Sequence, residues 1–203
     1  MLQKNEKAKF IVAGHSLGGA LAILFICVLA FHEEAWLFKR LEGVYTFGQP
    51  RVGDKQFEEY MEDKLRKYDV RYLRYVYSND LVPRIPFDDK TLMYKHFGPC
   101  LFYNSCYRGK VLREEPNKNY FSLLWFIPKR VNAGWELVRS FILPIVKGRD
   151  YRETWLLTLV RIFGLAIPGI ANHCPQDYNN STRLGNLPVA VDLQYSYEEI
   201  HGE

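Results

Sequence analysis

Apolar and polar positions divide the chain into short, regularly spaced blocks up to Pro86 and long apolar–basic runs after it. Residues 2–7 read as the end of a helix and Lys9–Ala13 as a strand. Leu17–Phe31 follows as a helix whose Gly18, Gly19, Ala20 and Ala22 permit close packing on a sheet. A second strand spans Gly43–Gly48, ended by Gly48, Pro50 and Gly53. The spacing then predicts a charged helix over Asp54–Tyr68, with Asp54 as N-cap and Phe57, Tyr60, Met61 and Leu65 inward. Val70–Tyr77 is a third strand, closed by Ser78-Asn79-Asp80. Strand, helix, strand, helix, strand implies right-handed crossovers and a parallel sheet, an α/β fold.

Beyond Pro86 the rhythm changes. Pro99–Tyr107 and Lys110–Glu115, separated by Arg108-Gly109, predict a hairpin. Tyr120–Ile170 is an apolar–basic stretch, His173–Gly185 a polar loop, and residues from about 186 to 203 a ragged acidic tail. From Phe10 to His32 there is no Asp, Glu, Lys or Arg, long enough to mimic a membrane span. Glycines and Ser16 break that run into strand and helix, and burial on both faces of an α/β core accounts for its apolar character.

At 203 residues, 48% hydrophobic and 25% charged, the chain suits one globular domain and not wholesale disorder. Its net charge of +4 is too small to imply a nucleic-acid partner. The charge is uneven: Arg108 to Arg161 holds 11 Lys/Arg against 5 Asp/Glu, a local +6 that leaves −2 for the rest. Cys27, Cys100, Cys106 and Cys174 show no metal-binding spacing. Cys100 and Cys106 could close a small loop, but reduced, intracellular thiols are the plainer reading. The polar start, Met1 to Lys7, does not read as a secretory signal, and none is expected.

Against this background, Gly14-His15-Ser16-Leu17-Gly18 between a strand and a helix reads as a nucleophile elbow. Small residues at 14 and 18 let strand and helix approach. The serine then stands at the helix N-terminus, where backbone N–H groups favour a developing oxyanion. A serine hydroxyl needs an imidazole base, and the imidazole a carboxylate. In this architecture they follow in the order Ser, acid, His, on loops at strand carboxyl ends. Asp54 reads as a helix cap, whereas Asp80 lies three residues past Tyr77 and is preferred. Among the histidines, His15 lies inside the elbow and would point elsewhere, His32 precedes the acid, and His201 sits in the tail. His96 and His173 stay open, with the loop setting of His173 favouring it as base.

Three segments carry a family resemblance: Gly14 to Ala22, Thr46-Phe47-Gly48-Gln49-Pro50-Arg51-Val52-Gly53-Asp54, and Asn79-Asp80-Leu81-Val82-Pro83-Arg84-Ile85-Pro86. In order and spacing they resemble the core signatures of class 3 (fungal-type) triacylglycerol lipases. Tyr94–Tyr107, Asn117–Arg130 and Asn172–Tyr178 are similar to the plant oil-body branch, so the likeness covers about residues 4–190. The resemblance implies an α/β-hydrolase fold with Ser16 as nucleophile, Asp80 as acid, His173 as base and the Leu17 backbone N–H as oxyanion donor. It implies ester hydrolysis on a lipid substrate, triacylglycerol first, with no cofactor or metal. Phospholipid or galactolipid hydrolysis, or a non-catalytic lipid-binding remnant, are the alternatives. Family members carry a long region before the elbow, with a second oxyanion donor. The chain is therefore expected to be the C-terminal part of one hydrolase domain, 1–203, with an uncovered sheet edge.

Trp125, Trp135 and Trp155, several phenylalanines and seven interleaved Lys/Arg (Lys129, Arg130, Arg139, Lys147, Arg149, Arg152, Arg161) mark about 120–170 as an amphipathic helical insert. Leu137, Val138, Phe141, Ile142 and Ile145 recur at helical spacing, Trp155–Ile167 is a second run, and Pro144 and Pro168 are expected to cut the two. Such a surface suits an oil-body or membrane interface; its basic residues are expected to be solvated or to meet lipid headgroups.

Overall fold

The computed structural model describes residue 5 and residues 7–86, 93–112, 116–117, 120–148, 151 and 153–187. Of the helix end expected at 2–7, residues 5 and 7 are described and neither is helical; residues 2–4 and 6, and 188–203 of the tail expected from about 186, lie outside the described residues. Five strands form one sheet in sequence order: β1 (Phe10–His15), β2 (Leu41–Phe47), β3 (Arg71–Tyr77), β4 (Cys100–Tyr103) and β5 (Gly109–Leu112). The first four are parallel, and β5 returns antiparallel to β4. The hairpin forms as expected, but it turns at residues 104–108, ahead of the Arg108-Gly109 predicted from sequence. Asn104 accounts for the shift, because its Oδ1 accepts the backbone N–H groups of Cys106 and Arg108 and closes the turn earlier.

Strand alternation divides the core between two faces. On β2 and β3, Val44 and Tyr72 point to one side, where α1 (Leu17–Phe31), α2 (Ala35–Phe38) and α3 (Lys55–Lys67) add Ile23, Ile26, Phe38, Met61 and Leu65. Tyr45, Leu73 and Tyr77 point to the other, against α4 (Phe126–Lys147) and α6 (Pro175–Leu184). That second face is rich in aromatics: Phe47, Tyr75 and Tyr103 stack across three strands, with ring centroids 4.7 and 6.5 Å apart. Asp54 caps α3 by accepting the Phe57 N–H at 3.0 Å, and Met61 and Leu65 are buried, whereas Tyr60 is exposed.

Two helical expectations are corrected. Helix α1 is buried on one face, through Ala20, Ile23 and Ile26, while Leu21, Leu24, Phe25 and Val28 on the other are exposed. It packs on β1 and β2, and β1 is the edge strand among the described residues. Pro144 does not interrupt α4, which runs on to Lys147. It falls in the last turn, so the one i→i−4 bond it removes lies at the helix end, and its carbonyl accepts the Gly148 N–H. Helix α5 (Trp155–Ala166) packs along α4, its N-terminus capped by Thr154, and ends before Pro168 as expected. Among the described residues no helix is long and apolar enough to cross a membrane.

Candidate active site

Ser16 stands between β1 and α1 at φ 56°, ψ −130°, a left-handed conformation that a β-carbon disfavours. Its N–H donates to the Phe47 carbonyl at the end of β2, which fixes the turn. A Cβ on Gly14 would lie 2.2 Å from the Gly18 carbonyl oxygen, so strand and helix backbones touch there. Gly18 is another matter: a Cβ there meets nothing within 4 Å. The second tight position is Gly19, where a Cβ would come 3.1 Å from both Gln49 Cβ and the Gly14 oxygen. Leu17 begins α1, whose first N–H groups have no intrahelical acceptor.

Asp80 follows β3 in a turn that its own neighbours lock. Its Oδ1 accepts the Val82 N–H at 2.9 Å. Arg84 donates to the Asp80 and Ser78 carbonyls, and its guanidinium lies 4.4 Å from the Tyr120 ring. Tyr120 donates to the Asn79 carbonyl at 2.9 Å. The Asp80 carboxylate is fully buried, with Tyr178 Oη donating to Oδ2 at 2.5 Å. Asp54, by contrast, serves only α3.

His173 ends a 3-10 turn, Ala171–His173, just before α6. Its Nε2 lies 2.7 Å from Ser16 Oγ, and its Nδ1 lies 2.9 and 3.1 Å from the two Asp80 oxygens. The tautomer with hydrogen on Nδ1 satisfies both contacts, leaving Nε2 free to accept the serine proton. Serine, imidazole and carboxylate are thus in line, each within hydrogen-bond reach of the next. His96 is elsewhere: its Nε2 donates to the Pro83 carbonyl at 2.7 Å, and burial followed by the Arg74 charge holds its pKa well below the ordinary imidazole range. His32 caps the end of α1, and His201 lies outside the described residues. Burial pushes the adjacent Cys174 thiol up to about 11, which disqualifies it as a competing nucleophile. Cys27, Cys106 and Cys174 are free thiols.

Three neighbours of the site escape a reading of the sequence alone. His15 does not point away: its Nε2–H donates to the His173 carbonyl at 2.8 Å, and the two imidazoles lie 4.7 Å apart. Burial and the His173 charge lower its pKa, so it stays a neutral donor. Gly48 sits at φ 59°, and a Cβ there would lie 2.8 Å from Asp80 Oδ2 and 3.1 Å from His173 Cε1. Tyr178 reaches Asp80 because 175–184 is a helix, α6, and not the polar loop expected. Pro175 at its first position and Asp177 in its first turn are the start signal that could have revealed it.

The insert also departs from expectation. Arg139 and Arg161 are neither solvated nor turned to lipid; both are buried among Glu136, Glu153 and Asp177, with Arg161 1% exposed. Lys129 is buried too, donating to the Tyr120 carbonyl, whereas Arg130 and Lys147 are exposed. Burial and the Asp177 charge push the Glu136 carboxyl above its usual range. Arg149 and Arg152 lie outside the described residues. Among the described residues no cluster of His, Cys, Asp and Glu could hold a metal ion.

A serine at positive φ between a parallel strand and its helix, with an aspartate just past β3 and a histidine on the turn before α6, is the arrangement of the α/β-hydrolase fold. Residues 1–90 match the family model described as Lipase (class 3). Over 91% of its length the chain is 52% identical to Triacylglycerol lipase OBL1 of Nicotiana tabacum, and over 95% it is 49% identical to the protein of that name from Ricinus communis. It spans 32% and 36% of those two proteins, about a third of their length. Among solved structures, the triacylglyceride lipase of Rhizomucor miehei is similar over 62% of this chain and 46% of its own, with 28% identity and a TM-score of 0.47.

Proposed function

We propose that the protein hydrolyses carboxylic esters of lipids, triacylglycerol foremost, through an acyl-enzyme on Ser16. The observation that carries this reading is the relay of 2.7 and 2.9 Å from Ser16 Oγ through His173 to Asp80. Nε2 of His173 takes the serine proton as Oγ attacks the acyl carbonyl, and Asp80 stabilises the imidazolium that results. The carbonyl oxygen, now an anion, is received by the Leu17 N–H. Collapse expels the glyceryl alkoxide, which takes the proton back from Nε2. Water then repeats the sequence on the acyl-serine, releasing fatty acid and restoring the hydroxyl.

The substrate class draws on the printed names of the relatives and on the insert. Leu123, Leu124, Ile127, Ile145, Trp155 and Phe163 are between 71% and 89% exposed on α4, α5 and the turn before them. Apolar area of that extent suits an oil-body or membrane surface. The end carrying Leu123 and Leu124 is tied to the acid loop by Tyr120, so a docked insert would hold the site near lipid. Fatty-acid release from triolein, phosphatidylcholine and galactolipid emulsions, with Ser16→Ala as control, tests the reading. Triolein should be cleaved fastest, and only by the serine form. Preference for a polar lipid would reassign the substrate, while droplet binding without Ser16 labelling by a fluorophosphonate would leave a lipid-binding protein.

A further inference from the structure

We infer that the α4–α5 hairpin is a positioning element for His173, gripping the chain on both sides of the imidazole through one buried charge cluster. The inference rests on the triad reading above. His173 lies on a single 3-10 turn, a structure with weak hydrogen-bond geometry of its own. Something else must hold the ring in line with Ser16.

Both flanks of the ring lead to the hairpin. On the N-terminal side, Asn172 Nδ2 donates to Glu136 Oε2 of α4 at 2.6 Å. The other Glu136 oxygen accepts from Asn132 at 3.2 Å and from Tyr77 of β3 at 3.3 Å. On the C-terminal side, Asp177 Oδ1 accepts from Arg161 of α5 at 2.9 Å and Arg139 of α4 at 3.2 Å. One guanidinium joins the halves, since Arg161 also lies 3.8 Å from Glu136 and 3.0 Å from Glu153. The helix that Asp177 anchors carries Tyr178, whose hydroxyl fixes Asp80. Base and acid are therefore referenced to the same two helices.

Packing alone does not call for this chemistry. Apolar side chains of similar volume hold two helices on a sheet at least as well as buried ion pairs do. What charged and amide groups add is direction, and here they act on Asn172, next to His173, and on Asp177 in the first turn of the helix that follows it. A base displaced by about 1 Å loses on the order of 10²-fold in rate.

The test uses a soluble fluorophosphonate on the chain, reading the inactivation rate constant separately from probe affinity. Asn172→Ala and Glu136→Ala should lower the rate constant about 10²-fold with affinity unchanged. Glu136→Gln, which keeps an acceptor for Asn172, should restore most of it. Wild-type rate constants in both alanine variants, accompanied only by a lower melting temperature, would overturn the inference. Should Glu136→Ala fail to fold, Asn172→Ala decides alone, because it leaves every charge in the cluster paired. His173→Ala separates the two levels: if it too labels at the wild-type rate, the triad reading is what fails.

Discussion

At Gly48 a single hydrogen in place of a methyl group keeps Asp80 and His173 together. The residue combines a left-handed φ with an open side facing Asp80 and His173. Gly48→Ala should cost both backbone strain and displacement of the carboxylate, lowering the fluorophosphonate rate by about 10²-fold. A variant labelled as fast as wild type would show that the turn relaxes. His96 makes a different kind of contribution, to stability. The fold holds it neutral where an unfolded chain would take up a proton, because its folded pKa is depressed. With the unfolded state binding more protons, stability is complete above the unfolded value near about 6.5 and declines as pH falls below it. His15 shifts in the same direction. Melting temperature should drop on acidification below that point, and His96→Gln, which keeps a donor for Pro83, should drop less steeply.

Among the elements, α1 and α6 were legible to different degrees. The boundaries of α1 follow from its apolar run and the glycines before it, because both act within a few residues. Helix α6 was concealed by its polarity. Its Asp177, Asn180 and Ser181 are buried, so it shows the polar face of a loop while packing like a core helix. The hairpin was visible as two amphipathic helices, but the fate of its charges was not. Arg139 and Arg161 meet partners 38 and 16 residues away, and nothing local distinguishes a buried arginine from a solvated one. Removing one partner from such a cluster strands the rest. Arg161→Met should therefore destabilise the protein by about 3–5 kcal/mol in denaturant unfolding, far more than an exposed charge such as Lys55 on α3.

For the molecule as a whole, the outer surface of the insert departs from an ordinary soluble exterior in its many exposed apolar side chains. If it meets lipid, charge placed there should act on adsorption and leave chemistry alone. The pair Leu124→Glu and Ile127→Glu should weaken binding to triolein droplets by at least about tenfold, given the worth of each buried apolar side chain. Labelling of Ser16 by a soluble fluorophosphonate should stay unchanged, and unaltered droplet binding would place the contact elsewhere.

The sequence by itself determined the parallel order of the first strands, the serine turn and the candidates Asp80 and His173. Periodicity, glycine placement and chain order all work over short stretches or through connectivity. Only the tertiary structure decided that Gly19 and not Gly18 lies tight against the turn, that His15 faces His173, and that Glu136, Arg161 and Asp177 join behind it. Those outcomes depend on side chains brought together across tens of residues, where burial changes what a charge or an imidazole does and no local pattern records the partner.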